Sequence, residues 1–121
     1  MTYSIKEVSD KTGLTSHTIR YYEKSGLLPY ISRDKNGIRI FCEDDIFWID
    51  IIKCLKNTGM KIEDIKNIVD LSLEGEHTEE KRKAILIKHR SSVLKQIEDL
   101  QKNLEKINLK INWYENKNAK C

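Results

Sequence analysis

At 121 residues, with 39% hydrophobic and 34% charged side chains, the chain has material for one small core and one extended, solvated element, not for two full domains or a large compact enzyme. A formal net charge of +3 does not by itself demand a nucleic-acid partner, and no apolar run approaches the roughly 20 residues that span a bilayer. Three cysteines, Cys42, Cys54 and Cys121, lack CxxC spacing, which argues against a disulfide framework or a zinc knuckle and for a reducing, cytoplasmic setting; the polar start MTYSIKEVSD predicts no signal peptide.

Ser4-Ile5-Lys6-Glu7 has the capping-box form, a hydroxyl at the N-cap and a carboxylate three residues on. It predicts a short amphipathic helix over 4–12 whose buried stripe begins with Ile5 and Val8. Gly13 gives the following turn its backbone freedom. Thr15 is the next N-cap, Ile19 and Tyr22 face the core at helical spacing, Gly26 ends the second helix, and Pro29 bars its continuation. Over 30–42, Asn36-Gly37 sits between extended runs, the signal for a hairpin closed by a type I′ turn. On the return arm Ile38, Ile40 and Cys42 alternate with Arg39 and Phe41, so one face can pack while the other meets a partner. Asp44 to Thr58 reads as a helix rich in Ile, Phe and Trp and closed by Gly59. Ile62 to Leu73 reads as another, with Ile62, Ile65, Ile68, Val69 and Leu71 as its apolar set, closed by Gly75.

From Thr78 to the end there is neither Gly nor Pro. Leu86, Val93, Ile97, Leu100, Leu104, Ile107, Ile111 and Tyr114 keep a rhythm of three and four, interrupted where Arg90 takes an apolar slot. That spacing over four heptads describes a coiled-coil seam. A helix of some thirty residues runs about 50 Å at 1.5 Å per residue, too long to bury one stripe against so small a head. It needs a partner, most simply a second copy of the chain.

Helix, tight turn, helix and hairpin is the order of a winged helix-turn-helix, whose second helix enters the major groove of DNA. Charge is placed accordingly. Residues 1–42 hold seven cations (Lys6, Lys11, Arg20, Lys24, Arg33, Lys35, Arg39) against four acids (Glu7, Asp10, Glu23, Asp34), most of the cations on the second helix and hairpin, where phosphates would be neutralised. The expected fold class is all-α with a small β-hairpin wing. A winged helix-turn-helix head covers 1–75, a dimerisation helix forming an antiparallel coiled coil covers 76–115, and a short tail over 116–121 leaves no separate effector domain. No Ser/His/Asp grouping, phosphate loop or convergent carboxylate pair is present, so neither catalysis nor a cofactor is expected.

These elements and residues closely resemble the MerR family of bacterial transcription regulators. The resemblance is carried by Ile5-Lys6-Glu7-Val8 with Gly13-Leu14-Thr15, by Thr18-Ile19-Arg20-Tyr21-Tyr22-Glu23, and by Gly26-Leu27-Leu28-Pro29. It continues through Gly37-Ile38-Arg39 with Phe41, Asp45 with Ile46, Gly59 with Met60, and the long helix. Lys61 departs from the pattern, standing where a small hydroxyl N-cap is common. The resemblance implies a homodimer that sets two heads on a near-palindromic operator within an overlong promoter spacer. There the dimer distorts the DNA so that RNA polymerase can engage both promoter elements.

It also implies roles. Arg20 and Tyr21 project to a base edge or phosphate, and Tyr22 divides between core ring and outward hydroxyl. Thr15, Ser16, His17 and Thr18 meet the groove at the helix N-terminus, with His17 the residue expected to vary operator preference. Arg39 grips backbone or minor groove with help from Arg33 and Lys35. Leu86, Val93, Ile97, Leu100, Leu104, Ile107 and Ile111 form the dimerisation seam. Cys54 has two readings. The segment from Trp48 to Gly59 resembles the aldehyde- and electrophile-responsive branch, where a lone cysteine is the sensor and Lys53 and Lys56 would favour its thiolate. Against that, a helix C-terminus disfavours an anion, and a buried cysteine is a common inert core residue. A metal response is the alternative. Metal sensors of the family place a cysteine at the start of the long helix, where this chain has Glu76-His77-Thr78-Glu79, and a His77–Cys121 pair would be incomplete for zinc. A coiled-coil adaptor without DNA binding is a further rival, but it leaves the Arg/Tyr helix and basic hairpin unexplained.

Overall fold

A computed structural model describes residues 1–117. Helix α1, Ile5–Thr12, opens on the capping box: Ser4 Oγ accepts from the Glu7 N–H at 3.2 Å, and Glu7 Oε1 accepts from the Ser4 N–H at 3.0 Å. Helix α2, Ser16–Lys24, starts on Thr15, whose Oγ1 accepts from the Thr18 N–H at 3.1 Å. Its far end is a Schellman motif. Gly26 lies at φ 83°, its N–H reaches Glu23 O, and the Leu27 N–H reaches Tyr22 O. A Cβ at Gly26 would add left-handed strain and a 2.9 Å approach to the Lys66 side chain.

Strands β1, Ser32–Arg33, and β2, Arg39–Ile40, pair antiparallel with Ser32 opposite Ile40 and Arg33 opposite Arg39. The turn between them differs from the predicted type I′, which needs positive φ at both central residues. Among the described residues only glycines have positive φ. Instead Gly37 N–H reaches Asp34 O at 2.9 Å, and the Asp34 carboxylate accepts from the N–H groups of Asn36 and Ile38. This is a three-residue loop in which an Asp-capped turn is followed by a left-handed glycine.

Of the two faces that the alternation offers on the return arm, it is the side of Phe41 that packs. Phe41 is fully buried, whereas Ile38 and Cys42 are exposed. The cause is a long-range bridge: Tyr3 and Phe41 exchange both backbone hydrogen bonds, at 2.8 and 2.9 Å. That bridge fixes which side of the strand faces inward.

Helix α3, Glu43–Asn57, begins with the Asp45 carboxylate accepting from the Cys42 N–H at 2.9 Å. Helix α4, Ile62–Glu74, follows with Lys61 at its N-cap and no side-chain cap bond there. A 3₁₀ turn over Glu76–Thr78 then leads into helix α5, Glu79–Glu115. Thr78 is buried. Its hydroxyl donates toward the carbonyls of Leu71 and Gly75 and accepts from Arg82 Nε at 3.0 Å.

The chain divides into two compact units. The first is Met1–Lys83, and the second begins at Ala84. The first has a core of Val8, Ile19, Leu27, Phe41, Ile49, Ile52 and Ile65, all fully buried. Two longer-range bonds tie its elements together: Trp48 Nε1 donates to Leu27 O at 2.9 Å, and Lys53 Nζ donates to Thr12 O at 2.7 Å. The second unit continues α5 from Ala84 onward, and α5 contains no buried residue. No helix among the described residues is long and apolar enough to cross a membrane.

Candidate nucleic-acid interface

The 3.6-residue period of α2 separates two faces. Ile19 and Tyr22 turn into the core, while His17, Arg20, Tyr21 and Lys24 are all exposed. Their spacing of i, i+3, i+4 and i+7 makes them one continuous outward stripe. Three donors with cationic or imidazole heads and one phenol therefore stand on a helix whose other face is anchored. The adjacent tyrosines show the division: Tyr21 is 50% exposed and Tyr22 5%. Burial, and secondarily Tyr21, raises the Tyr22 pKa above its ordinary 10.0, so the phenol stays neutral and its ring belongs to the core.

At the N-terminus of α2, Thr15 and Thr18 are occupied with each other as well as with the backbone, since Thr15 Oγ1 donates to Thr18 Oγ1 at 2.9 Å. Thr15 is exposed, and Ser16 and Thr18 are half-buried. On the wing, Arg33 and Lys35 are exposed. Arg39 is held: its Nε donates to Glu23 Oε1 of α2 at 2.6 Å, and Arg33 Nη2 lies 3.5 Å from the same oxygen. Arg33 Nη1 also donates to Gly37 O at 2.8 Å.

Two residues of this surface were not singled out as site residues from the sequence, although Lys24 was counted among the cations of the head. Lys24 completes the α2 stripe and could have been found by continuing the count from His17. Glu23 could not, because nothing local shows that one carboxylate receives two arginines from a hairpin some ten to sixteen positions on.

Cys54 is exposed, which removes the core reading of this thiol within the described unit. Lys53, expected to favour its thiolate, is instead engaged with the Thr12 carbonyl. Cys42 is a second exposed thiol. Among the described residues no three His, Cys, Asp or Glu side chains gather as a metal site, and Cys121, the partner considered for His77, lies outside the described residues. In the second unit, Leu86, Ile97, Leu100, Leu104, Ile107 and Ile111 are each between 37% and 67% exposed, and Val93 is half-buried. Ile87 and Leu94, also exposed, widen that stripe near its start. Lys110 Nζ lies over the rings of both Trp113 and Tyr114, at 4.2 and 4.8 Å from their centroids.

Comparison with known proteins gives a consistent result. The profile described as "MerR HTH family regulatory protein" matches residues 3–72, and that described as "MerR, DNA binding" matches residues 48–108. An uncharacterized HTH-type transcriptional regulator of Haemophilus influenzae is 35% identical over 119 residues, covering 98% of this chain and 88% of the relative. The regulator AdhR of Bacillus subtilis is 43% identical over 91 residues, 75% of this chain and 65% of AdhR. The crystal structure of HiNmlR, a MerR family regulator lacking the sensor domain and bound to promoter DNA, superposes with a TM-score of 0.88 at 35% identity. The match covers 98% of this chain and 94% of that one.

Proposed function

This chain belongs to the MerR family of DNA-binding transcriptional regulators, and we propose that it grips promoter DNA as a homodimer, with α2 in the major groove and the wing on the flanking backbone. The observation that carries this reading is the exposed stripe of His17, Arg20, Tyr21 and Lys24 on a helix whose opposite face is locked into the core. In this reading Arg20 and His17 read base edges, Tyr21 and Lys24 hold phosphates, and Arg33, Lys35 and Arg39 hold the wing against the duplex. The promoter-bound state of HiNmlR supports the same use of this fold.

Pairing of α5 helices through Leu86, Val93, Ile97, Leu100, Leu104, Ile107 and Ile111 would cover the exposed seam and present two heads to one near-palindromic site. Bending and untwisting an overlong promoter spacer costs on the order of 1–10 kcal/mol, which many phosphate contacts can offset, and RNA polymerase then engages both promoter elements. Cytoplasmic residence follows from this role. Regulation belongs to Cys54, whose exposed thiol can be reached by aldehydes or other electrophiles. Unchanged induction by formaldehyde, methylglyoxal or diamide in Cys54→Ser removes it from that role.

Duplex binding measured across a salt series tests the core of the proposal. With roughly six to ten phosphate contacts, affinity falls by about three to five orders of magnitude between about 50 and 200 mM salt. A protein that only assembles with other coiled coils shows no duplex binding at any salt.

A further inference from the structure

Glu23 is an acid on the helix that faces the phosphates, and on a simple count of charge it is a liability. Its carboxylate oxygen Oε1 nevertheless accepts from Arg39 Nε at 2.6 Å and lies 3.5 Å from Arg33 Nη2. The Glu23 side chain is 20% exposed and that of Arg39 25%, so the pair is largely withdrawn from water. The strands it steadies are two residues each, far below the length at which a hairpin holds itself. Arg39 is bound through Nε alone. Among the described residues Nη1 and Nη2 have no partner, which leaves the edge formed by these two amino groups to donate as a fork to a phosphate.

We infer that Glu23 is a positioning residue for DNA binding: it fixes the wing to the recognition helix and holds Arg39 with its outer donor edge ready for the backbone. This rests on the reading above in which the wing contacts phosphate. Removing the carboxylate releases a long side chain that must then be ordered at the moment of binding, a loss of about two- to tenfold in affinity. Simple electrostatics predicts the reverse, because one negative charge near the phosphates has gone.

The test is a double-mutant cycle on the full chain, with a fluorescein-labelled duplex that the wild-type protein selects from a random-sequence library. Glu23→Gln is expected to weaken binding two- to tenfold, Arg39→Ala to weaken it and lower the salt slope by about one, and Glu23→Gln to cost nothing further in the Arg39→Ala background. Arg39→Lys keeps the charge but cannot offer a second donor edge, so it should bind more weakly than the wild type while keeping the wild-type salt slope. This arm stands even if Glu23→Gln misfolds. Unchanged or tighter binding by Glu23→Gln, an equal loss in both backgrounds, or wild-type affinity in Arg39→Lys overturns the inference. Wild-type affinity and slope in Arg39→Ala instead overturn the wing–phosphate reading, and the positioning role falls with it.

Discussion

Adjacent residues on α2 have opposite fates, and the helical period alone decides which. Tyr21 stands out and Tyr22 is buried, so substitutions at the two should separate binding from stability. Replacing the exposed Arg20 by Ala is expected to cost about 1–3 kcal/mol and relax sequence preference if it reads a base; a uniform loss across duplexes with a lower salt slope would place it on phosphate. Both outcomes are read by anisotropy titration on several duplexes. Burial raises the Tyr22 pKa above 10.0, so the unfolded chain ionises first as pH climbs. Stability conferred by the neutral phenol is therefore present below about pH 10 and falls above it. Urea denaturation at pH 9 and about pH 11 should show that decline in the wild type and a smaller one in Tyr22→Phe. The periodicity around Ile19 and Tyr22 made this division legible, and continued one step it also reaches Lys24. The environment of Cys54 was not legible, since the exposure of its thiol and the diversion of Lys53 to Thr12 depend on how α3 meets α1.

Helix ends were readable because their signals are local. Ser4 with Glu7, Thr15, and Gly26 followed by Pro29 each satisfy free backbone groups within a few residues. The hairpin was half readable. Asn36-Gly37 marks a turn, but the same dipeptide serves both a two-residue type I′ loop and a three-residue loop ending in a left-handed glycine, and the Asp34 side chain selects the second by holding the Asn36 and Ile38 amides. The inward phase of the return arm depends on Tyr3, nearly forty residues earlier, and no local pattern records it. Phe41 is consequently the pin of the wing. Phe41→Ala should cost about 3–5 kcal/mol in urea denaturation. The bridge to Tyr3 then frays, and hydrogen exchange in this variant should report faster opening of the amides at positions 3 and 41 than of the α4 amides.

Across the whole molecule, the decisive feature is a 37-residue helix, about 56 Å long at 1.5 Å per residue, whose apolar seam is exposed along its length. Isolated helices gain little from propensity and need packing to persist, so the proposed homodimer is the natural cover for this stripe. Leu104→Lys places a charge in the centre of the seam and should raise the dimer dissociation constant by at least about tenfold, with loss of duplex binding in parallel, because one head alone makes half the phosphate contacts. The most direct measurement is sedimentation equilibrium of the wild-type chain at micromolar concentration, alone and with a selected duplex. Two chains of 14.2 kDa sedimenting together, and two per duplex, are the predicted result. A monomer that binds one per duplex with undiminished affinity would contradict it.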